Sequence, residues 1–482
     1  MNSNTVRDPR RWWILAALCL ALLVLVIDNT VLNLAIPSLN EEMGATPSDI
    51  QWIIDAYVLA FAGLLLTSGS LSDKYGRRLF LIIGLVFFGG ASLLAVLVTE
   101  PWQLIAARGL MGIGGSLVMP STLSILMTVF DESERRKAMA AWSAVALVGL
   151  VSGPTLGGFM LEHYWWGSVF LLNIPVAAIA VVAALVLMPE SRSVGRRIDP
   201  VGVVLSIVGL TAAVYVIIER EWNIPVIALA IVALGAFVIW ERRQDEPMLP
   251  LHLFANRNFS GASFSILLMS FGAGAVMLML TQYLQFVLGY GEMQAGLAML
   301  PYAVAAAIFN GVGAGLGKKL SNRVLISAGL LAMAGGFVVM ATTTGILPLL
   351  TGLVIMGVGG GLAGPSAYAS LMQAIPLEHA GVGSALNDTV QQVGMALSIA
   401  VLGSVLAGKY TAEMPADLPA VARESIGGAH PLGFAEAANE AFTSAMHLGA
   451  WVGAAFCVAA ALLAVTVLRP AGPVAAPEPA SV

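Results

Sequence analysis

The sequence predicts an all-α polytopic membrane protein: two six-helix bundles related by an internal repeat, with two inserted helices between them, about fourteen transmembrane helices in all. Three observations predict it. Of the 482 residues, 58% are hydrophobic and only 11% charged, where soluble domains carry roughly a quarter charged residues. So much apolar surface has no place in a water-soluble core, and the bilayer must be its solvent. The charges gather in short bursts between apolar runs of about twenty residues, the length that crosses a hydrocarbon core. The chain also matches itself when shifted by 245 residues.

In order, the runs are 12–34, 50–71, 78–97, 102–126, 138–161, 168–188, 201–218, 223–240, 260–286, 294–315, 324–342, 346–370, 384–407 and 445–467. None alternates apolar with polar as a barrel strand would, so each reads as a helix. The first run is too long for a signal-peptide core and is followed by SLNEEMGATPSD, with no small-residue cleavage site, so it reads as a retained span. Residues 408–444 are mixed polar and acidic, and are expected to form an outside loop with a short surface helix. The tail RPAGPVAAPEPASV is rich in Pro and Ala and is expected to be disordered.

Lys and Arg favour cytoplasmic loops. Arg7, Arg10 and Arg11 precede run one; Lys74, Arg77 and Arg78 follow run two; Arg135, Arg136 and Lys137 follow run four. Arg192, Arg196 and Arg197 follow run six, Arg242, Arg243 and Arg257 run eight, and Lys318, Lys319 and Arg323 run ten; the other side has only Arg220, Lys409 and Arg423. Both termini are therefore expected in the cytoplasm, with an even number of spans in the inner membrane. The loop after run twelve departs from the pattern, with Glu378 and His379 but no Lys or Arg.

The repeat aligns MGIGGSLVMPS from Met111 with MGVGGGLAGPS from Met356, Tyr57 with Tyr302, Arg78 with Arg323 and Gly149 with Gly394. A parallel repeat in a polytopic chain points to a transporter of two bundles, with its site at their interface and access alternating by rocking. The domains expected are 1–190 (first bundle), 191–258 (inserted helices and linkers), 259–469 (second bundle) and 470–482 (tail). Between runs two and three lies SGSLSDKYGRR, an unusually charged turn. Its counterpart GLGKKLSNRV from Gly315 keeps the basic residues but has Lys318 in place of Asp73.

These motifs resemble the major facilitator superfamily. GSLSDKYGRR (Gly69, Asp73, Gly76, Arg77, Arg78) is similar to its loop signature and RGLMGIGG from Arg108 to its fourth-helix signature. GLVSGPTLGG (Gly149, Gly153, Pro154, Gly157, Gly158) resembles the fifth-helix signature of its antiporters. IDNTVLNLAIP from Ile27 and QWIIDAYVL from Gln51 resemble the first two helices of the fourteen-helix drug:proton antiporter branch, which includes quaternary-ammonium and multidrug efflux pumps. The resemblance implies proton-driven export of lipophilic, often cationic compounds. A dedicated exporter of one endogenous metabolite, antibiotic or lipid is the alternative.

Charges inside a bilayer cost several kcal/mol and mark function. Asp28 (run one), Asp55 (run two) and Arg108 (run four) are expected at one level in the outer half of the membrane. There, desolvation disfavours an ionised carboxylate while a guanidinium or a cationic ligand favours it. Protons and cations would thus compete, as an antiporter requires. A buried helix–helix hydrogen bond for Asp28, an interfacial acid for Asp55 and a structural ion pair for Arg108 are the rival readings. Asn29 and Asn33 extend the polar face of the first helix. Asp388 in run thirteen, with Asn387, Gln391 and Gln392 nearby, fits the acids that recur here in the drug-pump branch; an inter-helical polar contact is its rival. Trp52, Tyr57, Phe61, Met277 and Tyr283 are candidate pocket lining, because aromatic faces and thioethers suit promiscuous cations; core or lipid contact is the plainer reading. Gly149, Gly153 and Gly157, four residues apart, form a smooth stripe that lets another helix approach, and Pro154 adds a bend. Asp73 is expected to latch the bundles on the cytoplasmic side, against a role limited to the turn and to topology.

GxxxxGKS/T is absent, so direct fuelling by ATP is not expected. His163, His252, His379, His430 and His447 are scattered without metal spacing, and Cys19 and Cys457 lie in apolar runs. No enzyme activity, metal or cofactor is expected beyond the proton gradient. A receptor or scaffold would not need intramembrane acids. The expected partners are small-molecule substrates, protons and membrane lipids rather than nucleic acid, with a monomer as the working unit.

Overall fold

The computed structural model describes residues 9–192, 199–219, 223–244, 247, 251–317, 319–373 and 380–468. Arg7, Arg196, Arg197, Arg220, Lys318, Glu378, His379 and the tail lie outside these. Fourteen long helices follow one another: α1 (Arg11–Met43), α2 (Pro47–Tyr75), α3 (Arg77–Leu97), α4 (Pro101–Val129), α5 (Glu132–His163), α6 (Ser168–Leu187), α7 (Pro200–Glu219), α8 (Ile224–Glu241), α9 (Arg257–Gln282), α10 (Glu292–Leu316), α11 (Asn322–Thr342), α12 (Ile346–Gln373), α13 (Ala380–Glu413) and α14 (Ala435–Val467). Each falls on one expected run. Among the described residues, however, twelve helices rather than about fourteen are both long and apolar enough to cross a membrane. The two others, α5 and α9, include side chains outside the description.

Local chemistry sets the boundaries. Gly44 ends α1 in a left-handed conformation, φ 65°. Thr46 and Asp49 form a capping box around Pro47 and start α2 three residues before the expected run. A Gly at φ 137°, Gly76, separates α2 from α3, and an added Cβ there would lie 2.8 Å from the Glu190 carboxylate. Only glycine suits that turn.

The repeat is visible in the packing. Gly112 of α4 seats on the Tyr57 carbonyl of α2, and its counterpart Gly357 of α12 seats on the Tyr302 carbonyl of α10. Helices α1–α6 and α9–α14 form the two bundles. Inserted helix α7 packs on α8, on α2 and on α13, so it lies across the seam between the bundles. Close contacts between the bundles lie in the half away from the basic loops. There Gly158 of α5 meets the backbone of Glu292 and Met293, Gly296 of α10 meets the Pro154 carbonyl, and Gly403 of α13 meets Gln51 of α2. Gln285 also donates to the Leu34 carbonyl at 3.3 Å. The loop expected over 408–444 is shorter and more embedded than its composition suggests. Helix α13 runs on to Glu413, two short helical turns (Ala420–Glu424 and Ile426–Ala429) bury Ala422, Ile426 and Ala429, and α14 begins at Ala435.

Candidate functional site

Asp28 and Arg108 form a buried ion pair. Arg108 Nη1 donates to Asp28 Oδ2 at 2.6 Å, with both residues at most 4% exposed. The other Asp28 oxygen accepts from Asn173 Nδ2 at 2.7 Å, and that amide also lies 3.2 Å from Ser92 Oγ, which donates to the Phe88 carbonyl. Arg108 Nε donates to the Ile53 carbonyl at 3.2 Å, and the guanidinium lies 4.4 Å from the centre of the Tyr57 ring, a cation–π contact. Both charges are thus held from several sides, as a buried ion pair must be. The network ties α1, α3, α4 and α6 together inside the first bundle. Asn173 and Ser92 were missed by the sequence reading. Asn173 carried a signal, as a polar residue within an apolar run.

Asp55 stays apart. It is fully buried, and neither carboxylate oxygen has a hydrogen-bond partner among the described residues. The expected shared level is partly realised, because Arg108 bonds to the carbonyl two residues before Asp55. The expected meeting of all three side chains is not, because Arg108 turns to Asp28. Gln51, one turn before Asp55, faces Gly403 of α13, whereas Trp52 donates to Glu219 of α7 at 2.9 Å. Gln51 and Trp52 thus line the seam of α2, α13 and α7, and Asp55 follows Gln51 one turn further along α2.

The remaining candidates divide. Asn29 and Asn33 donate to carbonyls four residues back on their own helix. Asn387 donates to its neighbour Asp388 at 2.9 Å, with Gln391 and Gln392 half-buried on the next turn of α13. The aromatic candidates pack into structure instead of lining an open pocket. Trp52 lies on Glu219 and Tyr215, Tyr57 stacks on Phe61 within the first bundle, and Tyr283 is core in the second, accepting from the Gly345 amide at 3.2 Å. Met277 lies in α9, and its side chain is outside the description.

On α5, Gly149 meets Val26, Gly153 meets Thr30 and Gly157 meets Val31, all on α1. The stripe therefore admits a helix of its own bundle. The contact between the bundles falls on neighbouring Gly158 and Pro154. In the charged turn, Arg77 Nε donates to Asp73 Oδ1 at 2.7 Å, and Nη1 bonds to Thr128 of α4 at 2.5 Å. Arg78 Nη1 donates to the Met188 carbonyl at 3.0 Å, and Glu190 accepts from the Arg78 and Leu79 amides. These contacts stay within the first bundle, and Gly69 packs beside Pro120 of α4.

Two pseudo-symmetric helix bundles with a buried charge network beneath a closed seam define a polytopic membrane transporter. A Major Facilitator Superfamily model matches residues 18–399, and the chain belongs to that family. It is 33% identical over 446 residues to the multidrug efflux pump LfrA of Mycolicibacterium smegmatis, covering 88% of each chain. It is 33% identical over 435 residues to the methyl viologen resistance protein SmvA of Salmonella typhimurium, covering 86% of this chain and 87% of that one. Its fold resembles a bacterial homolog of the human lysosomal transporter Spinster, solved inward-facing and occupied. The TM-score is 0.70 at 17% identity, over 95% of this chain and 96% of that one.

Proposed function

We propose that the protein is a drug:proton antiporter of the fourteen-helix branch, exporting lipophilic, often cationic compounds across the cytoplasmic membrane by alternating access. The observation that carries this is the pair of buried acids in different electrostatic settings. Asp28 is neutralised by Arg108, whereas Asp55 has no hydrogen-bond or ion-pair partner among the described residues. An unpaired carboxylate in an apolar interior costs several kcal/mol, so a proton or a cationic ligand must neutralise Asp55. Exchange of one for the other couples proton entry to export. Efflux and resistance relatives support the direction, and resistance to methyl viologen, a dication, supports the charge of the substrate.

The basic loops set the topology, with both termini cytoplasmic. Residues 1–190 and 259–469 are the moving bundles, 191–258 carry the inserted pair, and a monomer suffices. The contacts on the face away from the basic loops then make this an inward-facing state. Asp388, with Asn387, Gln391 and Gln392, supplies a second polar station in the other bundle. The proton gradient is the sole energy source. The test is export of ethidium and methyl viologen from a pump-deficient host and from proteoliposomes carrying a trapped pH dye. Substrate-dependent proton movement in the opposite direction is expected. Export indifferent to a protonophore would overturn the reading.

A further inference from the structure

The seam between α2 and α13 holds a cavity of about 40 Å³ that opens on the face away from the basic loops. Asn40, Gln51, Gly403, Tyr410, Glu424 and Phe442 are among its walls. Its size decides what it can hold. A drug-sized ligand needs roughly 300–1,000 Å³, whereas a water needs about 10–15 Å³ by the same measure. The cavity therefore fits a short file of waters and excludes a drug. Its walls are largely apolar, with Pro47, Ile50, Leu406 and Ile426 among them, and a few polar groups offer the waters partners. Asn40 Oδ1 is buried without a partner among the described residues, the Tyr410 hydroxyl donates to the Ala422 carbonyl with its lone pairs left to accept, and Glu424 is exposed.

Gln51 forms the inner wall. Its amide nitrogen donates to the Pro47 carbonyl at 3.2 Å, and its oxygen is 3.4 Å from Ser404 Oγ. Asp55 follows four residues later on the same face of α2, about 6 Å further in. The approach depends on a glycine, because a Cβ at Gly403 would lie 2.8 Å from the Gln51 carboxamide carbon.

The repeat supplies an internal comparison. The register that aligns Tyr57 with Tyr302 sets Gly403 on Gly158, Gln51 on Gly296 and Asp55 on Leu300. The α5–α10 seam is closed by glycine on backbone and carries no acid at the matching position. The cavity and the buried acid occur together in the other seam.

We propose that the α2–α13 seam is the proton-entry passage: waters in this cavity deliver protons from the outer face past Gln51 to Asp55, separately from the Asp28–Arg108 pair. The proposal rests on the proton-coupled reading above and assigns its route. The last water of the file gives its proton to an Asp55 oxygen, converting carboxylate to carboxylic acid, and is replenished with a proton from outer bulk water. The proton leaves when Asp55 faces the cytoplasmic side.

The test has two arms on the full-length chain. The first follows the Asp55 carboxylic acid by infrared difference spectroscopy in oriented proteoliposomes, its C=O band identified by its loss in Asp55→Asn. A drop in outer pH should raise that band in the wild type, and Gly403→Val should slow the rise. A band that ignores the outer pH overturns the passage. The second follows proton uptake during ethidium export in proteoliposomes. Gly403→Val and Gln51→Leu should each slow outer-face proton uptake about tenfold, a barrier increase of about 1.4 kcal/mol, with ethidium affinity in detergent unchanged. Asp55→Asn should abolish ethidium-coupled proton uptake. If Asp55→Asn still couples, this proposal fails while the antiporter reading stands on the other acids. If the wild type moves no protons with ethidium, both fail. Monodisperse elution separates these outcomes from misfolding, as does unchanged ethidium affinity for Gly403→Val and Gln51→Leu.

Discussion

Asp28 shows how one carboxylate can be structural and functional together. It accepts from Arg108 and Asn173, so an amide in its place would set one N–H group against another donor. Asp28→Asn is expected to remain in the membrane as folded protein with a lowered melting temperature, and to lose export of several cationic drugs in a susceptibility panel. Full resistance in that variant would remove Asp28 from the mechanism. Asp28→Leu alone leaves a buried unpaired guanidinium and should cost about 3–5 kcal/mol. Adding Arg108→Leu should recover much of that stability, read as melting temperature in detergent, without restoring export. Additive losses in the double variant would mean that the pair is not coupled.

Among the elements, α5 divides its small residues between two tasks. Gly149, Gly153 and Gly157 seat α1, while Gly158 and Pro154 seat α10 across the seam. An added Cβ at Gly153 collides with the Thr30 hydroxyl, itself tied to carbonyls on α1. Gly153→Ala should therefore destabilise by about 1–3 kcal/mol through overpacking, and Thr30→Ala in the same chain should restore thermal stability and transport together. Failure of that rescue would place the sensitive contact elsewhere. The helices themselves were legible in the sequence because apolar length is a one-dimensional signal. The glycine stripe was legible too, but its partner was not. Spacing shows that a face is smooth without showing which helix lies on it, and here that helix is α1. The same limit explains Trp52, whose indole partner Glu219 lies on an inserted helix 167 residues away in sequence. Gly403 could have been found, because the repeat places it on Gly158, a member of the fifth-helix signature.

For the whole molecule, the question is how a charged turn far from the buried acids acts on them. About eighteen residues of α2, roughly 27 Å of helix, separate Asp73 from Asp55, so direct contact with the same ligand is excluded. In the present state Asp73 is held by Arg77 of the neighbouring helix, and Arg77 in turn bonds to Thr128. The pair is partly exposed, with 33% of the Asp73 side chain open to solvent, so it is weak enough to exchange. A latch across the bundles would require Asp73 to trade Arg77 for a group in the second bundle as the cytoplasmic side closes. The balance of states would then depend on the difference between the two bonds. A charge-assisted hydrogen bond contributes about 1.5–3 kcal/mol, enough to shift a two-state ratio roughly ten- to hundredfold. Asp73→Asn and Asp73→Ala are therefore expected to express near normal levels, to cut export strongly and to favour the inward-facing state. Labelling of single cysteines at the cytoplasmic helix ends should rise accordingly, while drug affinity in the trapped inward state stays unchanged, because the residue acts on populations and not on ligand contacts. Asp73→Glu keeps the charge with a longer reach and should retain more export than Asp73→Asn. Equal export by wild type, Asp73→Glu and Asp73→Asn would leave the turn with only its intrabundle role, holding α2, α3, α4 and α6 together around Gly76.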